Sequence, residues 1–299
     1  MGLKSTEEIN QLALEALDKG DFYSAQHWFR NNVKNNPGVI SFNNLGVFYM
    51  NEGLQLRNGR VRSADKLSLR YLMSAEKYSI SYLNLMAIGN WNFISQNYVE
   101  ASNYFRRACN ITDSYVSYNN LGVSLYLQYQ NDESILCLEK ALRLCDNTDE
   151  IGEIYLTYIF SLLRKDKKQA LDILHQMIKF NIKHMEMDLF IVAFLCGDLQ
   201  LASTIISPMF MFWQIDIPVI AMVFECLFQL GQNDTAKQYM EYQINCLEGY
   251  DYSTKKEIDS VKKAFYQKEY RKKAISDFHY IPLLIQPCYY IGCKLHPFL

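Results

Sequence analysis

Two kinds of segment alternate along this chain. One kind is apolar and rich in amides and hydroxyls, with no Lys or Arg: residues 39–50, 80–92, 115–128, 154–163, 185–195 and 217–230. The other carries the basic residues, among them Arg70, Arg106, Arg107, Lys140, Arg143 and the stretch 165–168. Apolar runs of this length predict buried helices, and the charged runs predict helices with one face in water. The pattern predicts an all-α protein built of helix pairs. No stretch shows the alternation of a half-buried strand or the glycine-rich strand-to-helix turn of an α/β enzyme.

Inside the apolar helices one motif recurs. Ser41-Phe42-Asn43-Asn44-Leu45-Gly46, Ser81-Tyr82-Leu83-Asn84-Leu85 and Ser117-Tyr118-Asn119-Asn120-Leu121-Gly122 are near copies, spaced by 40 and 36 residues. A second rhythm marks the charged helices. Small residues fall at Ala25, Ala101, Ser134, Ala170, Ala202, Ala236 and Ala274, with steps of 33, 36, 32, 34 and 38 after the first gap. That first gap, of 76 residues, holds one extra repeat with a lengthened turn over 53–63, rich in Arg57, Arg60 and Arg62. Gly20, Gly197 and Gly231 each precede one of the alanines by five residues, where a glycine closes the first helix of a pair. A hairpin of this length cannot bury its apolar face alone, so it stacks on its neighbours.

These residues resemble the tetratricopeptide repeat, a helix-turn-helix patterned Trp-x2-Leu-Gly-x2-Tyr, then Ala-x3-Phe, then Pro. Phe42, Leu45, Gly46 and Tyr49 match the first helix with Phe for Trp, and Tyr118, Leu121, Gly122 and Leu125 match it again. Ala25, Phe29 and Pro37 match the second helix, as do Ala101 and Phe105. The resemblance implies a right-handed, curved solenoid of about eight hairpins over residues 1–280, followed by a C-terminal tail, 281–299. It also implies that first helices line a concave groove and second helices form the convex back.

Composition adds limits. Hydrophobic residues at 49% and aromatics at 14% describe a chain that folds, and a formal net charge of −2 argues against bulk binding to a polyanion. The eight cysteines are scattered, mostly through apolar runs, and the first twenty residues are polar, so the expected setting is a reducing cytoplasm. The longest apolar run, 209–228, contains Gln214, Asp216, Pro218 and Glu225, which suits a buried helix rather than a membrane span. Met1-Gly2-Leu3-Lys4-Ser5-Thr6 fits a loose acylation pattern, which six residues with three fixed positions meet by chance often enough to carry little weight.

Catalysis finds no constellation. His27, His175, His184, His279 and His296 lie far apart in the sequence, none beside a pairing acid. Cys288-x4-Cys293-x2-His296 has metal-ligand residue types, but its cysteine spacing is at the edge of zinc practice and suits packing equally. No cofactor or metal is expected. The basic, tyrosine-containing stretch 255–273 sums to +5, which reads first as a solvated terminal repeat and secondarily as a nucleic-acid surface.

The amides are the candidate chemistry. Asn44, Asn84 and Asn120 hold equivalent places in three successive first helices, flanked by Tyr82, Tyr118, Tyr126 and, further on, Tyr158. A carboxamide donates and accepts, so a row of them can pair both ways with an extended peptide backbone. The same amides and tyrosines also suit bonding and packing between neighbouring helices. Without Lys or Arg on the first helices, the carboxylate clamp of chaperone-binding relatives has no counterpart. The expectation is a non-enzymatic adaptor that binds a protein segment in its groove. The alternative is a peptide sensor similar to the cytosolic pheromone receptors of Gram-positive bacteria, without their extra module. The tail, with Ile281, Leu283, Leu284, Ile285, Tyr289 and Tyr290 broken by Pro282, Pro287 and Pro297, should run extended or as short turns and fold back over the final hairpin, from where it can also enter the groove.

Overall fold

The computed structural model describes residues 4–52, 61–147, 150–179, 185–206, 216–249 and 255–295. Among these there are sixteen helices and no strand. They are α1 Thr6–Asp18, α2 Phe22–Asn35, α3 Val39–Glu52, α4 Val61–Tyr78, α5 Tyr82–Ile94, α6 Tyr98–Cys109, α7 Tyr115–Leu127 and α8 Asn131–Leu144. Next come α9 Ile151–Leu163, α10 Lys167–Lys179, α11 Glu186–Cys196, α12 Leu199–Ile206, α13 Ile217–Gln229, α14 Asn233–Glu248, α15 Lys255–Tyr266 and α16 Lys268–Ser276. Each odd-numbered helix packs on the even-numbered one after it, which makes eight hairpins.

The local reasons are visible in the residues. Ser5 and Glu8 form a capping box at the start of α1, with the Ser5 hydroxyl accepting from the Glu8 amide and the Glu8 carboxylate accepting from the Ser5 amide. Gly20, Gly197 and Gly231 turn the chain after α1, α11 and α13 at φ of +72°, +91° and +73°. There L residues with a Cβ are strained, so glycine is the residue that fits. Where first and second helices cross, Gly46 and Gly122 leave room for Leu72 and Leu138. A Cβ on either glycine would come within 2.8 and 2.7 Å of its leucine. Ser134 Oγ donates to the Gly122 carbonyl at 2.8 Å, and Ser68 Oγ makes the same bond to Gly46 at 2.8 Å. Ser68 is thus the small residue of the repeat inside the 76-residue gap. The arginine-rich turn at 53–60 lies outside the described residues, as do the side chains of 61–65.

By contacts the chain divides into two compact units. The first comprises residues 1–150 together with 283–299, and the second comprises 151–282. The division differs from the expected one at 280, because part of the tail returns to the first hairpins. In the first unit the core is built on Phe29, Phe48, Leu72, Leu85 and Phe105, all fully buried. In the second, Phe224 meets Tyr239 and Phe265 edge-on at centroid distances of 5.8 and 5.3 Å. The residues after α16 close that unit, with Tyr280 stacked on Phe160 of α9 at 3.7 Å.

No helix among the described residues is long and apolar enough to cross a membrane. Arg271, in the basic stretch, is only 6% exposed, so it belongs to packing and not to a cationic surface.

Candidate functional site

The first unit buries a row of carboxamides. Asn10 on α1, Asn43 and Asn44 on α3, Asn84 on α5, and Asn119 and Asn120 on α7 are each 3% exposed or less. Unpaired, such groups would cost about 1–3 kcal/mol apiece, so their partners define what the row can do.

Much of the partner set is the backbone of residues 285–291. Asn120 Nδ2 donates to the Ile285 carbonyl at 2.8 Å, and its Oδ1 accepts from the Ile285 amide at 2.9 Å. Six residues on, Asn44 does the same to Ile291: Nδ2 donates to the carbonyl at 2.9 Å and Oδ1 accepts the N–H at 2.8 Å. Asn43 Nδ2 donates to the Tyr289 carbonyl at 2.8 Å, and Asn10 Nδ2 to the Ile291 carbonyl at 3.2 Å. The tail runs antiparallel to the order of the repeats, from α7 back to α3 and α1.

The amides also bond one another. Asn44 Nδ2 reaches Asn10 Oδ1 at 2.6 Å, Asn43 Nδ2 reaches Asn44 Oδ1 at 2.9 Å, and Asn84 Nδ2 reaches Asn43 Oδ1 at 3.2 Å. A separate pair joins Asn119 Nδ2 to Asn120 Oδ1 at 3.2 Å. Asn84 differs from Asn44 and Asn120: its Nδ2 is used on Asn43 and, at 3.1 Å, on the Leu72 carbonyl, and its Oδ1 has no hydrogen-bond partner.

Side chains of the same segment are buried beside the row. Ile285, Tyr289 and Tyr290 are 7%, 3% and 6% exposed, and Tyr290 stacks parallel to Phe29 at 5.7 Å. Burial holds the Tyr289 and Tyr290 phenols in their neutral form, well above the usual range; Tyr82 adds to the effect on Tyr289 and Glu52 to that on Tyr290.

The tyrosines singled out in the sequence do different things. Tyr82 is half-buried. Tyr118 turns to α8, where its hydroxyl accepts from Lys140 Nζ at 2.6 Å and the ammonium lies 4.2 Å from its ring centroid. Tyr126 and Tyr158 are buried in helix packing, the latter in the second unit. Three members of the row, Asn10, Asn43 and Asn119, were missed by sequence reasoning. Asn10 precedes Asn44 by one repeat of 34 residues, and Asn43 has its duplicate in Asn119; those two regularities were the available signals.

Among the described residues no group of three His, Cys, Asp or Glu could hold a metal, and none of the eight cysteines is in a disulfide. His184 and His296 lie outside the described residues.

No protein-family model and no curated protein matches the chain by sequence. Solved structures do match it. A tetratricopeptide repeat protein from Parabacteroides merdae superposes with a TM-score of 0.58 at 13% identity, over 89% of this chain and 98% of that one. The MamA protein superposes with a TM-score of 0.50 at 18% identity, over 58% of this chain and 91% of its own. The paired helices, the glycine-ended first helices and these superpositions agree: the chain has the tetratricopeptide-repeat fold.

Proposed function

We propose that this chain is a non-enzymatic interaction adaptor that grips an extended protein segment through the amide row of its first unit. The observation that carries the reading is the pair of two-way bonds from Asn44 and Asn120 to extended backbone, six residues apart. Such bonds read a backbone without reading its sequence, and each adds about 1 kcal/mol net. Side-chain burial of the kind seen at Tyr290 against Phe29 supplies selectivity and most of the energy. The first helices α3, α5, α7, α9, α11 and α13 carry no Lys or Arg, which suits a neutral or basic segment and disfavours an anionic one. A free peptide acting as a signal would use the same bonds, so the sensor reading differs only in the response that binding triggers.

A displayed random-peptide library tests this. Selection on the full chain should return extended apolar peptides whose binding falls at least about tenfold when Asn44 and Asn120 are both replaced by Ala, in line with the loss of about 1 kcal/mol or more per amide. A selection that returns no peptide dependent on these two amides overturns the adaptor reading.

A further inference from the structure

The tail meets two stations of the amide row and misses the one between them. From Ile285 to Ile291 an extended chain covers about 20 Å, which matches two helix-to-helix steps of about 8–10 Å. The first step ends at α5 and Asn84. Alternate residues of an extended chain turn the same edge to a neighbour, and Ile285, Tyr289 and Ile291 are the ones bonded to the row, so the residue of that edge left between Ile285 and Tyr289 is Pro287. Proline has no N–H to give. Asn84 is fully buried, its Oδ1 lacks a donor, and the neighbouring Asn119 Oδ1 and Tyr289 hydroxyl are buried without partners as well. Native interiors leave few such atoms, and several around one groove mark a fit that is incomplete.

Building on the adaptor reading, we infer that residues 283–291 are a resident ligand of the amide row, one bond short, displaced by a partner segment that supplies the missing donor at Asn84. The partner is then an extended apolar segment that places an aliphatic residue where the tail has Ile285, aromatics where it has Tyr289 and Tyr290, and a residue other than proline between them. The tail belongs to the same chain and competes with every segment that arrives from solution, so a weak or proline-containing segment is turned away. The exposed side chains at this end of the tail, Leu283 at 67% and Gln286, leave a free edge from which exchange can begin.

Three synthetic peptides of residues 281–295 test this on the full-length chain: the native sequence, the Pro287→Ala form, and that form with N-methylalanine at 287. The alanine peptide should bind at least tenfold tighter than the other two, although alanine is the more flexible residue. At saturation it should speed hydrogen exchange at the Ile285 and Ile291 amides at least tenfold. Ile285→Asp, which unseats the tail without touching the amides, should raise the affinity for all three. Equal binding of the alanine and N-methylalanine peptides overturns the role of Asn84. Binding with unchanged exchange at Ile285 and Ile291 overturns displacement, and no binding to either protein overturns both. Library peptides that need Asn44 and Asn120 but show no preference for an N–H at the middle position would sink this inference alone. The absence of any such peptide would sink the adaptor reading beneath it.

Discussion

Arg271 Nε donates to Glu225 Oε2 at 2.7 Å, tying α16 to α13 inside the second unit. The same guanidinium donates to the carbonyls of Ala264 and Phe265 at 3.0 and 3.1 Å and lies 4.6 Å from the Phe228 ring centroid. Burial alone would raise the Glu225 carboxyl, but the bond from Arg271 and a second from Gln229 hold it below its ordinary value. Removing the cation strands a carboxylate that is 15% exposed, so Arg271→Ala should cost about 3–5 kcal/mol. Arg271→Lys should recover only part, because an ammonium lacks the planar fork that reaches both carbonyls. Hydrogen exchange in α13 and α16 measures the effect locally.

Asp188 gives the second unit a pH dependence. Its carboxyl is pushed up to about 6, first by burial and second by the nearby Glu153 carboxylate, which burial also raises. The unfolded value lies near 4, so the unfolded chain gives up this proton first and the fold loses stability as pH rises from about 4 through about 6. Asp188→Asn should therefore raise stability at pH 7.5, by about 1–2 kcal/mol, and lose that advantage at and below pH 4. Thermal melts across this window decide it. A gain that does not vary with pH would place the cause elsewhere.

Gly89 tests the packing of the repeats. A Cβ there would meet the Phe105 ring at 2.5 Å, and Phe105 is fully buried. Overpacking of this kind costs about 1–3 kcal/mol, against roughly 1 kcal/mol gained by removing a helical glycine. Gly89→Ala should be net destabilising in denaturant unfolding. Gly38→Ala, where nothing lies within 4 Å, should be neutral or better.

Salt separates the amide row from an ionic mechanism. Segment binding through Asn44 and Asn120 should change less than about tenfold between roughly 50 and 500 mM salt, since no charge pair is screened. A steep loss would point to the lysines of α15 and α16.

Much of this architecture was legible in the sequence, because a repeat writes its steric needs many times over. Gly46 and Gly122, Ala25 and Ala101, and the helix-ending Gly20, Gly197 and Gly231 each report one crossing or one turn, and their period gives the hairpin count. Ser68 escaped because, although it stands 33 residues before Ala101, the lengthened turn puts it 43 after Ala25, out of step with the repeat before it. The amides at 44, 84 and 120 stood out for the same reason of period. Which backbone they hold did not, because an apolar tail states how much surface it must cover and not where. Nothing local to Ile285 or Ile291 names Asn120 or Asn44. That pairing is a property of the folded groove, as is the division at 150, which breaks no rhythm in the residues.

The bonds from Asn10 and Asn44 to Ile291 join residues 281 and 247 apart in the chain. During synthesis the first four hairpins emerge long before the residues that satisfy their amides. At about 5–20 residues per second, making the second unit takes on the order of ten seconds. Throughout that interval the row is open, with no tethered competitor present. On the adaptor reading, a segment that meets the nascent chain then finds a vacant cleft, and one that arrives later must evict an occupant. On that reading the order of translation itself makes the amide row easiest to fill before residues 285–291 have been made.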